Sequence, residues 1–144
     1  MDSQHSLDGF TKIHMVGVAG AGMSGLAKLL AGLGYEVTGS DLKPSRVLDA
    51  LEDIGIETWV GHKPDRMSDP DLVVASSAVP ATDPELAAAA KNGLVVWERP
   101  ALLDAFTAEM PAIGIAGTHG KTTTTGLAVA ALHGAGIDPT FLVG

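Results

Sequence analysis

Short apolar segments alternate with amphipathic ones along most of the chain, and this alternation predicts the fold. Each apolar segment has the length of a buried strand, and each amphipathic segment repeats apolar residues at helical spacing. We predict strands over residues 12–18, 36–40, 57–60, 71–76 and 94–97. We predict helices over residues 26–33, 44–54, 86–92 and 101–108, with Thr82 or Asp83 as the cap of the third. Strands and helices in this order are typical of α/β proteins, and we expect a Rossmann-like, doubly wound parallel sheet with helices on both faces.

The pattern starts again after a proline-containing linker at residues 109–112. An apolar run at 112–116 predicts a strand, residues 121–133 predict a helix, and residues 140–143 predict the start of another strand. We therefore divide the chain into a first domain at residues 1–108 and the truncated start of a second at 109–144. The second unit is too short for its own core, so we expect it to pack on the first domain, exchange between copies or lack order. The polar residues 1–11 predict a loose arm.

Composition narrows the class of protein. The chain is 46% hydrophobic and contains eighteen glycines, which suits a packed α/β core with tight turns. It has no cysteine, which excludes disulfides and thiol chemistry, and residues 1–10 do not resemble a leader, so we expect a cytoplasmic protein. No apolar run is long enough for a membrane span. The net charge of −8, without a cluster of Lys or Arg, argues against binding of nucleic acid.

The first predicted strand runs directly into a glycine-rich turn and then a helix. The turn has the form G-x-G-x-x-G and consists of Gly20, Ala21, Gly22, Met23, Ser24 and Gly25. Backbone amides at such a turn, together with the helix N-terminus, can hold a diphosphate. Asp41 ends the second strand 21 residues after Gly20, near the spacing of a ribose-binding acid, although a simple strand-end cap would explain it equally well.

A second glycine-rich turn precedes the helix predicted at 121–133. It consists of Gly117, Thr118, His119, Gly120, Lys121, Thr122 and Thr123. The strict nucleotide-loop pattern requires glycine where this chain has Ile115, so only a shorter form is present. Its chemistry still suits ATP, because Lys121 brings a positive charge to the phosphates and Thr122 or Thr123 offers a hydroxyl to Mg2+. We expect His119 to contribute its backbone amide rather than its imidazole. Two such loops predict two anionic ligands.

The second loop resembles the ATP loop of the Mur ligases, the ATP-dependent amide-forming enzymes of peptidoglycan synthesis. The first loop, with its methionine and serine, is also similar, and so are four shorter motifs: Gly39-Ser40-Asp41, Gly61-His62, Ser76-Ser77-Ala78-Val79-Pro80 and Arg99-Pro100. The histidine and the threonine run of the second loop are similar to the branch of the family that uses L-alanine. The resemblance extends over essentially the whole chain.

The resemblance implies that the first domain binds UDP-N-acetylmuramate, with residues 20–25 at the diphosphate. Ser40, Asp41, His62, Ser76 and Ser77 would then lie near the uridine or the phosphates. It also implies that ATP and Mg2+ bind at residues 117–123, with Lys121 as the catalytic lysine, and that the lactyl carboxylate is activated as an acyl phosphate for attack by L-alanine. The family places the L-alanine site and the remaining magnesium ligands after the point where this sequence stops. We therefore expect the chain to bind UDP-type ligands without turnover.

Three alternatives remain open. An NAD(P)-dependent oxidoreductase would use the first loop and Asp41 but gives no role to residues 117–123. A regulatory nucleotide-binding module would use both loops without chemistry. A related ligase that attaches a recycled tripeptide to the same UDP-sugar is the third. We expect Trp59 and Trp97 to serve in packing.

Overall fold

The computed structural model describes residues 5–143, and its centre is a parallel sheet of five strands. The strands are β1 (Lys12–Val16), β2 (Glu36–Asp41), β3 (Glu57–Val60), β4 (Leu72–Ala75) and β5 (Val95–Glu98). They lie in the order β3-β2-β1-β4-β5. The chain therefore reverses its direction of growth between β1 and β4, which opens a crevice at the carboxyl ends of these two strands.

Helices connect the strands and cover both faces of the sheet. They are α1 (Met23–Gly32), α2 (Arg46–Glu52), α3 (Pro84–Lys91), α4 (Arg99–Glu109) and α5 (Lys121–Gly134), with one 3-10 turn at Pro64–Arg66. Leu26 of α1, Leu51 of α2 and Leu102 of α4 belong to one buried cluster, whereas Ala89 of α3 belongs to another, which also contains Trp59. The predicted fold class and the five strands of the sheet are confirmed. No described helix is both long enough and apolar enough to cross a membrane.

The central strands explain why the sheet holds together. Every residue of β4 is buried, and it pairs with β1 from Ile13 opposite Leu72 to Val16 opposite Ala75. A strand that is covered on both faces needs apolar side chains in both directions, which is the pattern of the Leu-Val-Val-Ala segment. The sheet thus fixes the positions of the loops at its carboxyl edge.

The prediction of a loose amino-terminal arm is wrong for the part of the arm that the structure describes. Leu7 is 1% exposed within the larger core cluster, and Phe10 lies edge-on against Trp97 with ring centroids 5.6 Å apart. The His5 Nδ1 atom lies 3.1 Å from a carboxylate oxygen of Asp104 in α4. Two apolar residues in an otherwise polar segment are enough to anchor it, because Leu7 is buried in the core cluster and Phe10 packs against Trp97 of β5. Residues 1–4 of the predicted arm lie outside the described residues.

The segment after α4 differs from the prediction in its strands. Residues 111–120 and 137–143 contain no strand, whereas the predicted helix is present as α5. A β-strand exists only where a neighbouring strand takes up its hydrogen bonds, and none of the described strands pairs with either segment. No residue of α5 is buried, as expected of a unit without its own core. Leu142 nevertheless packs against the larger core cluster beside Gly25 of α1, so the end of this segment returns to the core beneath the sheet's helices.

Candidate functional site

A cavity of about 260 Å³ lies at the carboxyl edge of the sheet, where β1, β2, β3 and β4 end. Among the residues lining it are five that the sequence analysis selected: Gly20, Ser40, Asp41, His62 and Ser76. The sheet brings these five together from four separate segments, because the carboxyl ends of parallel strands meet at one edge. The rest of the first loop and Ser77 are not part of the cavity wall.

The first glycine loop is held by the backbone of β2. The amides of Gly17 and Val18 both donate to the carbonyl oxygen of Ser40, at 2.9 and 3.0 Å. Gly17 has φ +75°, and a β-carbon there would lie 3.0 Å from a methyl group of Val79. Only glycine combines that conformation with so close a contact. Gly17 also lines the cavity, although the sequence analysis did not select it as a site residue.

Residues 20–25 of the loop have different structural roles. Gly22 caps α1 with φ +76°, and a β-carbon there would lie 2.8 Å from the guanidinium carbon of Arg99. Arg99 donates from Nη1 to the Ala21 carbonyl oxygen at 3.2 Å, so the first residue of α4 supports the loop. The Met23 side chain is completely buried in the core, which leaves only its backbone for the predicted ligand contact. Motif resemblance pointed to Arg99, but only the structure places its guanidinium against the loop.

Asp41 connects the end of β2 to the same loop. Its Oδ2 atom accepts a hydrogen bond from the Ala19 amide at 3.0 Å, and the residue lines the cavity. Both interpretations of Asp41 are therefore compatible with its position, because a carboxylate that supports the loop can still present its second oxygen to a ligand.

Two further acids, Asp83 and Glu85, lie at the start of α3 beside the cavity. Asp83 is the helix cap, as predicted, since its Oδ1 accepts from the amides of Glu85 and Leu86 at 2.8 and 3.3 Å. Its other carboxylate oxygen lies 3.3 Å from Nδ1 of His62. Asp83 and His62 both line the cavity. The helix cap thereby also contacts a predicted site residue.

Glu85 is the centre of a buried polar cluster that the sequence analysis missed. Its side chain and that of His14 are both 0% exposed. Oε1 accepts from the Trp59 indole and from the Lys63 amide, both at 2.8 Å, and Oε2 accepts from the Ser40 hydroxyl at 2.5 Å. His14 Nε2 lies 3.4 Å from Oε2, and its ring stacks on Trp59 at a centroid distance of 4.8 Å. Trp59 therefore has a packing role, as predicted.

The surroundings of Glu85 keep it ionised. Burial alone would raise the pKa of its carboxyl group, but hydrogen bonds from His14, Ser40, the Lys63 amide and Trp59 lower that pKa to about 2. A carboxylate is the one side chain that can accept from so many donors without donating in return.

Three of these ligand-type side chains lie close enough to suggest a metal ion. Atoms of His62, Asp83 and Glu85 all lie within 4.8 Å of one another. However, both oxygens of Glu85 already accept from protein donors, and Oδ1 of Asp83 accepts from two amides. The group is thus explained by hydrogen bonding within the protein, and its donor set does not fit a cation.

The second glycine loop lies on the surface at the start of α5. Gly120 caps this helix with φ +78°, and Lys121 Nζ donates back to the Gly117 carbonyl oxygen at 2.7 Å. Thr122, Thr123 and the rest of residues 117–123 are exposed, and they do not line the first cavity. The cap leaves the first amides of a fourteen-residue helix free of helical partners, which fits a phosphate group. The structure thus keeps the predicted turn and helix without the predicted strand before them.

Comparison with known families decides the family of this chain. A family profile described as "Mur ligase family, catalytic domain" matches residues 12–110. The chain belongs to the Mur ligase family.

Individual relatives of this Mur ligase chain carry one activity in their names. The UDP-N-acetylmuramate–L-alanine ligase of Acidothermus cellulolyticus is 49% identical over 138 residues, which cover 96% of this chain and 29% of that protein. The enzyme of the same name from Kineococcus radiotolerans is 47% identical over 136 residues, covering 92% of this chain and 29% of that protein. The chain thus spans less than a third of the length of the curated relatives it matches.

Solved structures of Mur ligases have the same fold. UDP-N-acetylmuramate–alanine ligase of Thermotoga maritima matches with a TM-score of 0.78 and 34% identity, covering 85% of this chain and 29% of that one. UDP-N-acetylmuramate:L-alanyl-γ-D-glutamyl-meso-diaminopimelate ligase of Neisseria meningitides matches with a TM-score of 0.79 and 30% identity. This match covers 88% of this chain and 40% of that one. The family profile ends before the second glycine loop, whereas the alignments with the two curated relatives span nearly the whole Mur ligase chain.

Proposed function

We propose that this chain is the amino-terminal part of an ATP-dependent ligase that joins L-alanine to the lactyl carboxylate of UDP-N-acetylmuramate in the cytoplasm. Residues 1–108 form the UDP-sugar-binding domain, and residues 109–144 begin the ATP-binding domain. The observation that carries the proposal is the cavity at the carboxyl edge of the sheet, which is lined by Gly20 together with Ser40, Asp41 and His62. Family membership and the names of the curated relatives support the choice of substrate.

The first loop suits the diphosphate of a UDP-sugar. The start of α1 offers backbone amides and the positive end of the helix dipole, and Gly22 leaves room for the Arg99 guanidinium against the loop. Arg99 adds a positive charge behind the loop while it holds the Ala21 carbonyl. A diphosphate can therefore bind to this acidic protein without a basic surface.

The second loop suits the phosphates of ATP. The α5 amides and Lys121 would hold the phosphate chain, and the hydroxyl of Thr122 or Thr123 would take part in binding Mg2+. When bound, ATP supplies the phosphoryl group that activates the carboxylate as an acyl phosphate, from which the amine of L-alanine displaces phosphate. For that step Lys121 would exchange its bond to the Gly117 carbonyl for a phosphate oxygen. L-alanine has no assigned residues in this chain, and we expect no turnover from residues 1–144 alone.

A calorimetric titration tests the substrate class. The purified chain should release binding heat with UDP-N-acetylmuramate and none with NAD. Heat from NAD alone would support the oxidoreductase alternative and contradict our proposal. Incubation with UDP-N-acetylmuramate, L-alanine, ATP and Mg2+ should release less than one equivalent of ADP, and release beyond that would contradict the absence of turnover.

A matched pair of variants links the binding to the cavity. Asp41→Asn removes the charge that holds the Ala19 amide at the cavity wall, and we expect about tenfold weaker binding of the UDP-sugar. Asp49→Asn makes the same change at an exposed position of α2 and should leave binding unchanged. Equal affinities for the two variants would place the ligand elsewhere.

A further inference from the structure

Glu85 lies outside the cavity but contacts the wall of the cavity from behind. It is the second residue of α3, its side chain is 0% exposed, and it does not line the cavity. Two of its hydrogen bonds lead directly to the wall: one to the hydroxyl of Ser40, which lines the cavity, and one to the amide of Lys63, which follows the lining residues Gly61 and His62. Glu85 therefore joins the end of β2 to the turn after β3.

The neighbouring Asp83 completes this arrangement. It precedes Glu85 by two residues, caps the same helix and contacts Nδ1 of His62 at 3.3 Å. The start of α3 thus holds both the backbone after His62, through Glu85, and the His62 side chain, through Asp83. A movement of α3 by a few tenths of an ångström would change both contacts together, because hydrogen bonds weaken steeply with distance and angle.

The charges at this wall indicate which part of a UDP-sugar it meets. Asp83 lines the cavity at the start of α3, and the carboxylate of Glu85 lies behind the wall. Two carboxyl groups beside His62 disfavour a phosphate there by like-charge repulsion, whereas hydroxyl and N–H donors suit them. The start of α1, which follows the lining residue Gly20, instead offers the amides of a helix N-terminus. The uridine end therefore fits the wall that Glu85 supports.

We propose that Glu85 is a positioning residue, which fixes Ser40 and the turn carrying His62 so that the cavity accepts the uridine end of its ligand. This inference rests on the proposed binding of a UDP-sugar. In this inference, the buried Glu85 carboxylate helps to select the nucleoside although it lies outside the cavity. It takes no part in the binding of the diphosphate.

The variant Glu85→Gln tests this role with little change in volume. The glutamine oxygen can still accept from Trp59 and Lys63, but its NH2 group faces the Ser40 hydroxyl, which must turn its own proton away. We expect affinity for uridine and for UDP to fall about tenfold, while affinity for inorganic pyrophosphate stays within about twofold. All three ligands are titrated against the 144-residue chain, with amide chemical shifts in NMR spectra as the readout.

The control is Glu36→Gln, which removes the same charge from an exposed side chain at the start of β2, the opposite end from the cavity. It should leave all three affinities unchanged. If Glu85→Gln does not fold, Ser40→Ala breaks the same contact from the other partner and should show the same selective loss.

The affinities of the variants test the positioning role of Glu85, whereas UDP binding by the unmodified chain tests the proposed function. Unchanged uridine binding by the folded Glu85→Gln variant, or an equal loss of uridine and pyrophosphate binding, would overturn the positioning role. In the Ser40→Ala variant the same two results would overturn it. Absence of UDP binding by the unmodified chain would instead overturn the proposed function, and the inference with it.

Discussion

Protonation of Glu85 should make the folded chain less stable in acid, and Glu85→Gln should remove that part of the pH dependence. The pKa of this carboxyl group is lowered from 4.5 to about 2 in the folded chain. Above pH 4.5 the carboxylate is ionised in both the folded and the unfolded chain, so its full contribution to stability is present. As the pH falls further, the unfolded chain takes up a proton that the folded chain does not. This contribution to the free energy of unfolding is then lost progressively until the pH approaches 2.

The size of the effect follows from the difference between the two pKa values. A difference of about 2.5 pKa units at 1.36 kcal/mol each corresponds to about 3 kcal/mol. Other acids also titrate in this range, so the informative quantity is the difference in unfolding free energy between the unmodified chain and Glu85→Gln. We expect that difference to shrink by about 3 kcal/mol between pH 6 and pH 2.

Urea denaturation at a series of pH values measures this difference. Fluorescence of Trp59, whose indole donates to Glu85, reports the loss of the cluster, and circular dichroism reports the loss of the helices. Glu36→Gln, at an exposed position, should retain the pH dependence of the unmodified chain. A difference between the unmodified chain and Glu85→Gln that stays constant from pH 6 to pH 2 would refute the assignment of Glu85 as a buried carboxylate with a lowered pKa.

Three further changes test the loops and the terminal segment. Gly22→Ala forces a side chain into a left-handed conformation against Arg99, and urea denaturation should show a loss of about 1–3 kcal/mol; unchanged stability would contradict the loop geometry. Leu142→Ala removes the contact with α1, which should cost roughly 1.4 kcal/mol of packing and make limited proteolysis after α5 about tenfold faster. An unchanged cleavage rate would show that the contact does not stabilise this segment. Lys121→Ala should weaken ATP binding in calorimetry by about tenfold or more and leave UDP binding intact; equal ATP affinity would exclude Lys121 from the phosphate site.

Much of the fold could be predicted because it depends on local patterns. The buried Leu-Val-Val-Ala segment of β4 and the leucines of α1 show their burial directly in their spacing. The cavity was also predictable in outline, since parallel strands bring Ser40, His62 and Ser76 to one edge wherever the sheet forms. Arg99 was identified only through motif resemblance, because nothing in its local sequence shows that α4 begins beside the first loop.

The predictions that failed depended on distant neighbours. The strands expected at residues 112–116 and 140–143 are apolar enough, but a strand also requires a partner, which the local sequence does not specify. The arm was expected to be loose because it is mostly polar, yet Leu7 and Phe10 carry enough apolar surface to anchor it on the core.

Local patterns were enough to predict the order of the sheet's strands along the chain, the fold class and the two glycine turns, because periodicity and glycine conformation act over a few residues. The role of Glu85 could not be predicted in this way, because in sequence it is an ordinary acid in the first turn of a helix and would be expected in solvent. Its contacts with Ser40 and His14 join residues 45 and 71 positions apart, and a buried carboxylate is stable only when such distant donors converge on it. Convergence of that kind is a property of the packed chain, since no local segment contains both the acid and its donors.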